Sequence, residues 1–129
     1  MRTIATAILV LGFAGTARAQ SAVYPELRGA PVDLVAVARE QGWGIEAATA
    51  CDNLPWEDGL TVLRHMQDRA ARRFDKVYSE KVAGSWLAGD TQAKADIARD
   101  RAATCRTASG LRSKVDNWRK ASIRWRDGD

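Results

Sequence analysis

From residue 31 onward apolar side chains recur every three or four positions, and no bounded alternating run suggests a strand. Pro31 suits the first turn of a helix, and Val32, Leu34, Val35, Val37 and Ala38 follow at helical spacing. Gly42 predicts a stop. A short alanine-rich segment, Ile45 to Asp52, carries Cys51 and is broken by Asn53-Leu54-Pro55. Glu57 and Asp58 then stand where a helix N-terminus favours negative charge. The longest predicted helix runs from Trp56 to Trp86. Along it Leu60, Leu63, Gln67, Ala70, Phe74, Val77 and Lys81 alternate at three and four, with Ala71, Tyr78 and Val82 widening the stripe. Gly84 and Gly89 predict its end. Asp90 is the expected cap of a last stretch holding Ile97, Ala98, Ala102 and Cys105, bent at Gly110, and Leu111, Val115, Trp118 and Trp125 continue one face. The expected fold is all-α: a bundle of about four helices over residues 31–129, closed by one disulfide, with residues 20–30 an extended N-terminal arm.

The first 19 residues change the picture of where the chain works. Met1-Arg2 is a positive start, Thr3 to Gly15 is an apolar run, and Ala17-Arg18-Ala19 is a small-x-small end, which together predict a cleaved signal peptide. The run is shorter than the ~20 residues that span a bilayer, which argues against the alternative of an uncleaved anchor. Position 20 is Gln rather than Cys, so no lipid attachment is expected. The expected mature chain is periplasmic or secreted, with no transmembrane segment after cleavage. Its charge is nearly balanced yet unevenly spread. Residues 20–60 carry two basic and seven acidic residues, and residues 61–129 carry 16 basic and nine acidic. Such a split reads either as an anionic partner for the second part or as an acidic first third packed against it. The second reading is the expectation.

Two cysteines in a small exported domain predict a disulfide, Cys51–Cys105. A redox site would show C-x-x-C, which is absent. His65, the chain's one histidine, has Asp68 and Arg69 at three and four residues on and is expected to be a surface or boundary residue. A catalytic histidine would need a nucleophile motif nearby, and none is present. Zinc lacks ligands, and in the segment Asp52 to Gly59 a calcium loop would place Leu54 and Trp56 at ligand positions. No phosphate loop, G-x-S-x-G or H-E-x-x-H occurs. The expectation is no enzyme and no cofactor.

Five tryptophans are the surplus. Trp43, Trp56 and Trp86 are expected in the core or at its edge. Trp118 and Trp125 differ, because Arg119, Lys120, Arg124 and Arg126 surround them. A helix of that composition serves internal docking, a protein partner or an anionic membrane surface. Trp118, Arg119, Arg124, Trp125 and Arg126 are therefore the candidate partner-binding residues. Nucleic acid is not expected outside the cytoplasm.

The order VDLVAVAREQGWGIEAATAC, the helix start Pro55-Trp56-Glu57, a long helix and a second cysteine in AATCRTASGLR resembles small exported two-cysteine helical proteins common in alphaproteobacteria, a group of unknown function. The resemblance covers residues 32–118 through layout and cysteine spacing, and implies fold and compartment without an activity. One disulfide closing a long helical loop is also similar in layout to acid-stress periplasmic chaperones. This chain departs from those in its longer mature length, its Trp and Arg content and its arm. The expected function is binding of an unknown protein or an anionic envelope surface. The alternative is a periplasmic stress chaperone that exposes apolar helix faces when acid protonates its carboxylates.

Overall fold

The computed structural model describes residues 31–128, so the expected signal peptide and N-terminal arm lie outside the described residues. Within them the chain forms five helices and no strand: α1 (Pro31–Asp52), α2 (Trp56–Arg73), α3 (Lys76–Arg99), α4 (Arg101–Ser109) and α5 (Arg112–Arg126). The all-α expectation holds. The count is five rather than about four, because the helices divide at other places than the glycines suggest.

Gly42 does not stop α1, and neither Gly84 nor Gly89 ends α3. Gly42 and Gly89 mark instead where these two helices touch. A Cβ at Gly42 would sit 1.9 Å from the carbonyl oxygen of Trp86, and one at Gly89 would sit 2.1 Å from that of Arg39. Each glycine costs about 1 kcal/mol of helix propensity relative to alanine, which the backbone contact offsets. The two helices run parallel. Ser85 Oγ donates to the Val35 carbonyl at 2.6 Å, and further along Trp43 Nε1 donates to Asp96 Oδ2 at 2.9 Å.

The predicted helix from Trp56 to Trp86 is two helices. Phe74 leaves the helical region at φ −124°, ψ −91°, and Asp75 caps α3 by accepting the Tyr78 N–H at 2.7 Å. Arg72 and Arg73 close α2 with charge that suits its C-terminus. Phe74 and Tyr78 meet edge to face across the junction, ring centroids 4.9 Å apart. The chain reverses here, so α2 and α3 form an antiparallel pair in which Ser79 Oγ donates to the Gln67 carbonyl at 2.8 Å. The reversal resets the stripe. The buried face of α2 is Val62, His65, Met66 and Ala70, while Val77, expected inside, is 63% exposed and Leu60 also faces solvent. Asp90 is not a cap either. It lies inside α3, paired with Lys94 at 3.0 Å, and Asp100 caps α4 by accepting the Ala103 N–H.

The main core gathers Leu34, Val37 and Ile45 of α1, Val62 and Met66 of α2, Val82 and Trp86 of α3, and Val115 and Trp118 of α5. A smaller cluster, Ala47, Ala93 and Ala108 under Trp43, joins α4 to α1 and α3. Beside it Cys51 of α1 and Cys105 of α4 form the expected disulfide, with Cα atoms 5.6 Å apart. Trp56 departs from expectation. It is 69% exposed at the start of α2.

Part of the uneven charge is neutralised across one set of contacts. Asp52 pairs with Arg112 at 3.1 Å, Glu40 with Lys114 at 3.4 Å and Asp58 with Arg119 at 2.6 Å, so three acids of the first third hold α5. No helix among the described residues is long and apolar enough to cross a membrane.

Candidate functional site

Helix α5 is anchored by its first half and offers its last turns to a groove. Trp118 is 6% exposed and fills space left by Gly44 of α1, where a Cβ would meet its ring at 3.3 Å. Arg119 donates from Nε and Nη2 to Asp58 Oδ2 at 2.8 and 2.6 Å. These two candidate partner residues are therefore committed to the fold: Trp118 lies within the core, and Arg119 is held by α2. The groove begins one turn further on. Trp125 Nε1 donates to Asp68 Oδ2 at 2.9 Å, and the indole stacks on the His65 ring with centroids 5.3 Å apart and planes 19° from parallel. Arg126 projects outside and bonds Asp127 at 3.0 Å.

His65, Asp68, Arg69 and Arg72 of α2, with Ala121, Arg124 and Trp125 of α5 and Gly128 beyond it, line an open groove of about 660 Å³. Asp68 is the one carboxylate among these described lining residues, and both its oxygens are engaged, Oδ2 by Trp125 and Oδ1 by Arg72 Nε at 3.0 Å. Burial alone would raise the Asp68 pKa, but the hydrogen bonds from Arg72 and Trp125 and the Arg72 charge hold it below the usual carboxylate range. The arrangement is a half-buried aromatic wall with guanidinium groups from two helices around it.

Sequence reading placed Arg124, Trp125 and Arg126 on this end of the molecule and missed the α2 side. A signal was present, since residues 65, 68, 69 and 72 share one helical face. His65 was expected at a surface or boundary and is instead buried under Trp125. Burial, then the charge of Arg69, lower its pKa to about 4, against a smaller opposing pull from Asp68. It packs as a neutral ring.

That geometry has a pH consequence of definite sign. As pH falls below about 6.5 the unfolded chain takes up the proton first, so the stability supplied by neutral His65 is complete above that value and lost on the way down to about 4. The loss is at most about 3 kcal/mol. Glu46 works in the opposite sense. Burial, then a hydrogen bond with Asp90, raises its pKa, so its contribution is present in acid and lost as pH rises through its folded value. Urea unfolding of wild type and His65→Leu at neutral and mildly acid pH isolates the histidine. The variant should lose less stability on acidification, and an equal loss in both proteins would remove His65 from the account.

A smaller cavity of about 340 Å³ lies between α1 and α5, lined by Ala48, Leu54 and Val115 with Asp52, Arg112 and Asp116. Its arginine is already paired with Asp52. Among the described residues no three His, Cys, Asp or Glu side chains converge as metal ligands would. No protein family, characterised protein or solved structure matches this chain.

Proposed function

We propose that this chain is an exported, non-enzymatic helical binding module whose contact surface is the rim formed by Arg69, Arg72, Arg124, Trp125 and Arg126. Its partner is an anionic protein or the envelope surface itself. The observation that carries the reading is the grouping of guanidinium groups from α2 and α5 around the half-buried indole of Trp125. Arginine and tryptophan are the types in which binding energy concentrates, and positive charge along a concave surface steers anions towards it. The disulfide is compatible with an oxidising compartment.

The test is affinity capture of the tagged exported chain from its native envelope, comparing wild type with Arg124→Glu. Arg124 is exposed, so its replacement should leave stability within about 0.5 kcal/mol. Recovery of the companion should fall about tenfold, the equivalent of about 1.4 kcal/mol. An unchanged set of companions would sink the reading. Charge reversal is cleaner than removing the last turn of α5, which would also uncover His65.

A second reading, a periplasmic stress chaperone, is favoured by one observation, the neutral His65 held beneath Trp125. Charging that ring in acid would loosen the end of α5 and expose the α2 face beneath it. Light scattering from an acid-denaturing client checks this. Suppression below about pH 3 and none at neutral pH favours the chaperone, and no suppression at either dismisses it.

A further inference from the structure

We infer that the outward face of α3 is a self-association surface, along which two copies of this chain pair antiparallel about a two-fold axis at Leu87. Helix α3 gives one side to α1 and the next to α2, and its remaining side meets solvent. Val77, Gly84, Leu87, Ala88, Thr91 and Ala95 are exposed there, Val77 by 63% and Leu87 by 49%. Large apolar side chains grouped on an exposed face mark an interaction surface. Leu60, also exposed, lies alongside. A Cβ at its neighbour Gly59 would stand 3.7 Å from the Trp86 ring, which sets Leu60 level with Leu87. Leu60 is also two turns before Gln67, on the side of α2 that bonds α3.

The charges name the occupant. Glu80 stands seven residues before Leu87 and Lys94 seven residues after it, both exposed. Seven residues are two turns to within about 20°, so the three form one line along α3, each charge about 10 Å from the leucine. An antiparallel copy centred on Leu87 sets Leu87 on its own counterpart, and each Glu80 beside the other copy's Lys94. A parallel copy would set Glu80 on Glu80 and Lys94 on Lys94. The face is thus complementary to itself in one orientation, the condition for a closed two-fold pair. Lys94 bonds Asp90 at 3.0 Å, yet its side chain is 63% exposed, and an ammonium has three donors, so it can bridge to a second carboxylate. Close approach is open as well. Nothing lies within 4 Å of a Cβ at Gly84, and with Ala88 and Thr91 also around Leu87 the helix axes can come to about 8 Å, the short end for helix pairs. The arginine rim takes no part in this surface.

Sedimentation equilibrium of the exported chain, disulfide intact, over roughly 1 μM to 1 mM should show the mass rise from one chain towards two. Leu87→Arg sets two like charges at the axis and should weaken association more than tenfold. Its helical circular dichroism, and its urea midpoint at the lowest concentration, should match wild type because the position is exposed. Glu80→Lys should weaken association about tenfold, since both cross pairs turn repulsive. Lys94→Glu should do the same. A mixture of these two variants should associate as tightly as wild type, because every cross pair is again of opposite sign. Should Lys94→Glu lose its fold with the Asp90 pair, Leu87→Arg and Glu80→Lys decide alone. A single-chain mass throughout the range, or equal association in Leu87→Arg, overturns the assignment. A chain that pairs only after residues 20–30 are removed would give the face to the arm and overturn it too. Arg124→Glu, on the rim, should associate as wild type does. Association lost there but kept in Leu87→Arg would move the contact to α5 and end the case for α3.

Discussion

Gly42→Ala is expected to destabilise the protein by on the order of 3–4 kcal/mol, although alanine is the better helix former by about 1 kcal/mol. The two effects have opposite signs, which makes the experiment decisive. A methyl group at Gly42 would stand 1.9 Å from the Trp86 carbonyl oxygen and 2.8 Å from its carbon. Those are backbone atoms inside α3, so no rotamer change relieves the clash. The helices must separate, and they are also held by Ser85 on the Val35 carbonyl and Trp43 on Asp96. Gly89→Ala should behave alike, with its methyl 2.1 Å from the Arg39 carbonyl oxygen. The double variant should cost less than the sum, because the first separation relieves the second clash. Gly84→Ala is the control. Nothing lies within 4 Å of a Cβ there, so propensity alone should stabilise by up to about 1 kcal/mol. Urea midpoints with unchanged slopes would measure all four. A Gly42→Ala protein as stable as wild type would mean that α1 and α3 do not touch at this point.

The same glycines show why helix class was legible in the sequence and helix ends were not. Period alone identified the apolar faces, and two cysteines predicted to be exported identified the one covalent link. A glycine, however, is written identically whether it ends a helix or admits a neighbouring backbone, and only the partner helix distinguishes the two. Gly42, Gly84 and Gly89 were all read as stops on local grounds. The true boundary at Phe74–Asp75 carries good signals, basic residues before it and a capping aspartate, but Phe74 and Tyr78 keep the apolar spacing unbroken across it. The stripe masked the turn. Predicting burial along a helix that is really two helices then placed Val77 inside and left His65 out.

The groove was half legible for a related reason. Trp118 and Trp125 lie seven residues apart, so the helical repeat assigns them one side of α5, and the arginines around them suggest contact. What separates their roles is the neighbour each meets. Trp118 faces Gly44 and the core, whereas Trp125 reaches past it to Asp68 and His65 near the middle of α2. No single-helix pattern contains that information. Arg119 looks as free in sequence as Arg124, yet the acid it binds stands 61 residues earlier.

Cys51→Ala is expected to cost about 4 kcal/mol, the value that the chain-entropy argument gives for the loop between residues separated by 54 positions. That is a large share of the ~5–15 kcal/mol that holds a domain of this size. The loss should also be uneven across the fold. Helix α4 is nine residues long and buries only Thr104 and Ala108, so little apolar area ties it down. Its other fastenings are the Ala47–Ala93–Ala108 cluster and the Arg101 guanidinium on the Ala50 carbonyl, both beside the disulfide. Helices this short are marginal without tertiary support. In the variant α4 should therefore lose amide protection first, while α2 and α3, which pack through Val62, Met66, Val82 and Trp86, keep theirs. Hydrogen exchange on wild type and Cys51→Ala reads this directly, and thiol titration of the unreduced wild-type protein should find no free thiol. Two free thiols, or protection lost uniformly from every helix, would contradict the account of α4 as an element held mainly by its covalent link. The consequence reaches the groove by an indirect route. Helix α5 is bound to α1 and α2 through Asp52, Glu40 and Asp58, so it should stay docked when α4 loosens, and the His65–Trp125 stack should survive the loss of the disulfide.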